Sequence, residues 1–118
     1  MIVSNIKKYT NGWIVGDFAP SLIRSPQFEL AHHQHQAGEK STPHFHKETT
    51  ELNYIVLGEL IVSGQRLKAG DIWIYEPNEI SDVEFLTYTS LIILRWPSIP
   101  GDKYDAPDCP QRIDGRAG

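Results

Sequence analysis

The sequence holds a single cysteine, Cys109, so no intrachain disulfide can form and a two-cysteine zinc site is excluded. Positive charge is scarce. Eleven Lys and Arg against fifteen Asp and Glu leave a formal net charge of −4, with no basic excess to displace counterions from a phosphate backbone, and nucleic acid is not an expected partner. No run approaches the roughly 20 apolar residues of a membrane helix. Lys7 and Lys8 interrupt the N-terminal apolar residues before a signal-peptide core could form, so the expectation is a cytoplasmic protein without a membrane partner. G-x-S-x-G, G-x-G-x-x-G and G-x-x-x-x-G-K-[ST] are all absent, which argues against nucleophile-elbow hydrolysis and nucleotide-fuelled chemistry.

What remains is a chain of 118 residues, 40% hydrophobic and 22% charged, the composition of one globular domain. Short β-branched and aromatic runs alternate with Gly, Pro, Asn and Asp, and no long segment has helical spacing. Strands are predicted at 2–6, 13–17, 27–36, 44–47, 50–57, 59–62, 65–67, 71–75, 83–86 and 90–96. Gly12, Gly38, Gly58, Gly64 and Gly70 punctuate them as corners. Many short, evenly spaced strands point to an all-β closed barrel or jelly roll over residues 1–97. From residue 98 to 118 the chain turns Pro-rich and loses its periodicity, reading as a C-terminal tail in which Ile99 and Tyr104 are candidate anchors.

All five histidines lie between His32 and His46. On a strand, His44 and His46 present both imidazoles to one side, and a strand returning after Thr49–Thr50 could bring the Glu51 carboxylate to the same point. Two imidazoles and a carboxylate suit a divalent transition metal such as Fe, Mn, Zn or Ni, and the same groups suit acid–base catalysis. Alternation along 28–36 puts His33 and His35 on one face with Glu29, and His32 on the other. Asp82 is a candidate base or extra ligand within an acidic stretch, and Tyr54 or Tyr75 could offer a hydroxyl to a bound ligand. Arg95 reads as an anion fork or, more simply, as a surface ion pair.

The segment from Gly38 to Gly58 resembles the first signature motif of the cupin superfamily. The family pattern is Gly, five residues, His-x-His, three or four residues, Glu, six residues, Gly, and it falls here on Gly38, His44, His46, Glu51 and Gly58. A second, degenerate motif starts at Gly70 and Asp71; Asn78 takes its glycine position, and Ser81 stands where a fourth, histidine ligand belongs. Asn tolerates the left-handed region, so the turn is expected to survive. The stretch Pro97–Tyr104 is similar to the PS-x-x-GDKY ending of small single-domain cupins. The resemblance implies a double-stranded β-helix jelly-roll barrel, an inward-facing metal site at His44, His46 and Glu51, and a homodimer in which the Ile2–Ile6 strand could be exchanged.

Three functions fit these residues: a metal-dependent cupin enzyme acting on a small polar ligand, sugar-like or a keto or carboxylate compound; a metal-free sugar-nucleotide epimerase or isomerase with histidine as acid and base; and a non-catalytic binding or sensor barrel.

Overall fold

The structure, a computed structural model, describes residues 1–106; Cys109 and the rest of the expected tail lie outside the described residues. Its strands are β1 (Trp13–Gly16), β2 (Ile23–Arg24), β3 (Glu29–His35), β4 (His44–Phe45), β5 (Thr50–Leu57), β6 (Glu59–Val62), β7 (Gln65–Lys68), β8 (Ile72–Tyr75), β9 (Val83–Phe85), β10 (Thr89–Trp96) and β11 (Tyr104–Asp105). The larger sheet runs β2-β1-β3-β10-β5-β8. Facing it is β7-β6-β9, which bridges Lys40–Glu84 and His44–Ser81 continue toward the β4–β11 pair. No described helix is long and apolar enough to cross a membrane.

Side-chain alternation produces this two-layer arrangement. Along β5, Glu51, Asn53 and Ile55 are buried while Tyr54 and Val56 are exposed, the period-2 pattern of a strand with one face in the core. Ile55, Leu91 and Ile93 from the large sheet meet Leu60, Val62, Val83 and Phe85 from the small one. Gly58 makes the corner between β5 and β6. Its φ is +100°, and a Cβ there would sit 2.3 Å from the Tyr88 carbonyl oxygen, so both backbone conformation and space demand glycine.

Three departures from expectation have local causes. The run 2–6 forms no strand: the Asn5 side chain accepts the Lys7 N–H at 2.9 Å and starts a 3-10 turn at Ile6–Lys8. The two-residue β2, which pairs in parallel with β1, is too short to carry a period-2 signal. The chain also stays in the fold past the expected boundary at 97. Ser98 donates to Glu29 Oε2 at 2.8 Å, and β11 pairs with β4 in the register Tyr104–Phe45 and Asp105–His44. The expected anchor Tyr104 stacks on Phe45, with ring centroids 5.6 Å apart.

Candidate functional site

His44 and His46 enter the barrel from the small-sheet side, with rings 5.5 Å apart and nearly perpendicular. β4 ends early because the Asp102 carboxylate gathers the next three backbone N–H groups: Lys47 at 3.0 Å, Glu48 at 2.9 Å and Thr49 at 3.1 Å. This clip turns the chain across the barrel into β5. Glu51 therefore meets the histidines from the opposite sheet, and not from a hairpin neighbour of β4 as the sequence suggested. Burial pushes the Asp102 carboxyl up, and the three N–H donors more than reverse it, leaving it below the usual carboxylate range.

Two backbone carbonyls orient the imidazoles. His46 Nδ1 bonds the Asp102 backbone carbonyl, and His44 Nδ1 bonds the Thr42 carbonyl at 2.8 Å. A ring nitrogen that meets a carbonyl carries the proton, so Nε2 of each ring keeps its lone pair. His46 Nε2 is buried without a hydrogen-bond partner, 3.7 Å from Glu51 Oε1. Burial lowers the His44 pKa, and the Thr42 carbonyl only partly opposes this. His44 is thus neutral near pH 7 and able to donate an electron pair.

Glu51 is already engaged. Arg95 Nε donates to its Oε1 at 2.6 Å and Asn53 Nδ2 to its Oε2 at 3.0 Å. Burial alone pushes the Glu51 carboxyl up; the Arg95 charge and hydrogen bond, with Asn53, hold it below its ordinary value. The register places Glu29, Arg95, Glu51 and Tyr75 in one inward row across β3, β10, β5 and β8. Arg95 Nη1 also approaches Glu29 Oε1 at 3.4 Å, and the guanidinium lies 4.4 Å from the Trp13 ring centroid. Burial pushes the Tyr75 phenol up to about 12, so it keeps its proton at neutral pH.

These contacts decide how a divalent metal would fit. The two imidazoles match its donor chemistry: both Nδ1 atoms are tied down, and the orphaned His46 Nε2 is the buried lone pair such an ion would satisfy. Glu51, the third donor, is committed to Arg95. Among the described residues, no group of three or more His, Cys, Asp or Glu side chains stands arranged to hold a metal ion.

The remaining candidates scatter. His33 points inward, edge-on to Trp13, with its Nε2 buried and unpartnered; burial first, then the neighbouring His35 and Arg95, lower its pKa to about 4. His35 stacks on Phe85 at 3.9 Å and pairs with Glu39 at 3.0 Å, which makes it a packing residue. Tyr54, a candidate ligand contact, faces outward, on the opposite side of β5 from Glu51. Asp82 lines a cavity of about 800 Å³ that also touches Trp73, Tyr75, Gln65 and Asn78 but not His44, His46 or Glu51. Tyr75, the register partner of Glu51, is the link between cavity and site. Ser81 exchanges backbone hydrogen bonds with His44, at 3.2 and 2.7 Å, in the position of the missing fourth ligand. Asn78 adopts φ +76° as expected and donates its N–H to the His46 carbonyl at 2.7 Å.

Glu29 and Asp102 carry much of this geometry, and the sequence reading missed them as site residues; Arg95, read as an anion fork or a surface ion pair, spends its guanidinium on Glu51 and Glu29 inside the barrel. The inward parity of Glu29 with His33 was the available signal for the Glu29–Arg95 row.

No family and no curated protein matches the sequence. Solved structures do. KdgF from Halomonas sp. superposes with a TM-score of 0.59 at 24% identity, covering 64% of this chain and 74% of its own. An uncharacterised conserved protein with a double-stranded β-helix domain from Klebsiella pneumoniae gives 0.64 at 19% identity, over 70% of this chain and 72% of its own. An RmlC-like cupin from Shewanella frigidimarina gives 0.58 at 23% identity, over 64% and 70%. At these identities the likeness is one of fold.

Proposed function

The chain is a cupin-fold domain, a double-stranded β-helix, and on that premise we propose that it binds a divalent transition metal through His44, His46 and Glu51 and acts on a small, oxygen-rich substrate, sugar-like or a keto or carboxylate compound. The observation that carries this reading is the buried, unpartnered Nε2 of His46, beside a second imidazole whose Nδ1 is tied in the same way. Fe, Mn, Zn or Ni suits two imidazoles and a carboxylate, and when bound supplies Lewis-acid polarisation of a substrate oxygen.

The chain's own residues supply the rest. Thr42 and Asp102 hold the rings in the tautomer that leaves Nε2 open. Arg95 keeps Glu51 ionised in a buried setting, and any group that takes Glu51 Oε1 must replace that hydrogen bond. Tyr75, protonated, can donate to a substrate oxygen at the boundary between cavity and site. The deciding experiment is metal content per chain by mass spectrometry, on protein purified without added metal and on the His44→Ala/His46→Ala double variant. Near-stoichiometric metal that disappears in the variant is expected; equal content in both sinks the reading.

The Arg95–Glu51 contact favours a second reading, because a guanidinium already supplies positive charge beside the carboxylate. In it, His44 and His46 move protons to and from a carbon next to a substrate carbonyl without metal. Solvent deuterium would then wash into a keto-sugar nucleotide, and no exchange across a panel of such sugars counts against it.

A further inference from the structure

A second cavity, of about 290 Å³, reaches Arg95 and Glu29 without touching His44, His46 or Glu51. Trp13, Phe18, Pro20 and Pro100 form its apolar walls. Local chemistry builds them. Gly16 leaves the room that the Phe18 ring occupies, since a Cβ there would sit 2.0 Å from a ring carbon. Ser98 accepts the Asp17 N–H at 2.8 Å and donates to Glu29 Oε2 at 2.8 Å, which ties the segment carrying Pro100 to β3 and to the residue after β1.

Among the described residues the lining holds one charge of each sign, Glu29 and Arg95, and no other ionisable side chain. Neither is saturated. Arg95 donates through Nε to Glu51 and through Nη1 to Glu29, and its Nη2 has no acceptor among the described residues. Glu29 accepts one bond on each oxygen, from Ser98 and from Arg95, where a carboxylate offers about four acceptor positions. A ligand that completes both groups brings an acceptor and a donor together. A plain anion would add negative charge beside Glu29 and Glu51 with one guanidinium between them, and a plain cation would meet that guanidinium. Arg95 Nη1 and Glu29 Oε1 stand 3.4 Å apart, so the two charges of the ligand must also be close neighbours. An ammonium and a carboxylate on one carbon, the head of an α-amino acid, satisfy that spacing. The volume is at the lower edge of the ~300–1,000 Å³ range of small-molecule pockets, which leaves room for a small side chain between apolar walls.

We propose that this cavity binds a small apolar α-amino acid as its zwitterion, with the carboxylate on Arg95, the ammonium on Glu29 and the side chain among Trp13, Phe18, Pro20 and Pro100. The site stands apart from the metal reading, because none of its lining residues is a metal donor there. Arg95 joins the two sites, since the guanidinium that receives the ligand also holds Glu51.

Isothermal titration calorimetry of the full chain with L-leucine, with and without excess EDTA, tests this. Leucine is expected to bind equally in both buffers. Isocaproate, which lacks the ammonium, and isoamylamine, which lacks the carboxylate, should each bind at least ~10-fold more weakly, the loss of one charge-assisted hydrogen bond. Glu29→Gln removes the negative charge and keeps the shape, so isocaproate becomes the tightest of the three. Thr10→Trp, at an exposed lining position, fills the cavity and abolishes binding with an unchanged circular dichroism spectrum. Leucine that does not bind, or binds no better than isocaproate or isoamylamine, overturns the proposal, and this series on the wild type decides even if Glu29→Gln fails to fold. Binding that EDTA abolishes overturns it too, by moving the ligand onto a metal, as does binding that survives Thr10→Trp.

Discussion

Arg95 and Glu51 are register partners on adjacent strands, and their side chains meet at 2.6 Å on the inner face of the barrel, where Glu51 also faces His46. A metal ion held by the histidines, as proposed, would have to compete with the guanidinium for that carboxylate oxygen.

Replacing Arg95 with Met should leave Glu29 and Glu51 buried without their shared cation. A loss of roughly 3 kcal/mol in urea-denaturation stability is expected, the cost of breaking a buried ion pair from one side. Adding zinc or nickel should then raise the melting temperature of Arg95→Met more than that of the wild type, because the ion takes over the vacated charge. An equal rise in both proteins would show that Arg95 does not compete for Glu51.

Asp102→Ala removes the acceptor of three backbone N–H groups and should cost about 3 kcal/mol. Asp102→Asn keeps one acceptor oxygen and the backbone carbonyl that holds His46, so its cost should be about half as large. Chemical denaturation of the two variants side by side separates the clip from a general tolerance of substitution at this position.

His33 titrates near 6.5 when unfolded and near 4 in the fold. Between those values the unfolded chain binds more protons, so stability rises with pH. The contribution is fully present above 6.5 and disappears as pH falls through 4, a span of roughly 3 kcal/mol. Glu51 and Asp102, both held below the ordinary carboxylate range, lose their contributions at still lower pH. In His33→Gln the slope between about pH 4 and 6.5 should flatten while the more acidic transition remains; an unchanged slope assigns it to another group.

Gly58→Ala forces a Cβ against the Tyr88 carbonyl in a left-handed backbone. A loss of at least ~2 kcal/mol is expected by thermal or urea denaturation, against a smaller loss of about 1 kcal/mol for Gly64→Ala, where φ is also left-handed at +77° but nothing crowds the new Cβ.

Much of the barrel was legible because its strands alternate. Thr50–Leu57 and Glu59–Val62 fall where period-2 patterning puts them, and the outward position of Tyr54 follows from the same parity that turns Glu51 inward. The left-handed Asn78 was legible from the chemistry of its side chain. The pairing of charges was not. Arg95 meets carboxylates 44 and 66 positions away, and Asp102 binds N–H groups more than 50 positions away. An isolated charged residue carries no periodic signal that names its partner. Residues 98–106 were hidden for a related reason, since a strap broken by Pro100 and Gly101 can dock through a few polar contacts without an apolar pattern of its own.

That strap gives the protein an order of assembly. His44, His46 and the turn behind them take their geometry from residues 102–105, which leave the ribosome last among the parts of the site. A nascent chain that has completed β10 holds the residues of the barrel's apolar core, yet its His46 has no carbonyl to aim it and its 47–49 turn has no carboxylate to close it. The aim of His46 and the closing of that turn therefore wait for Asp102, made after the last strand of the large sheet.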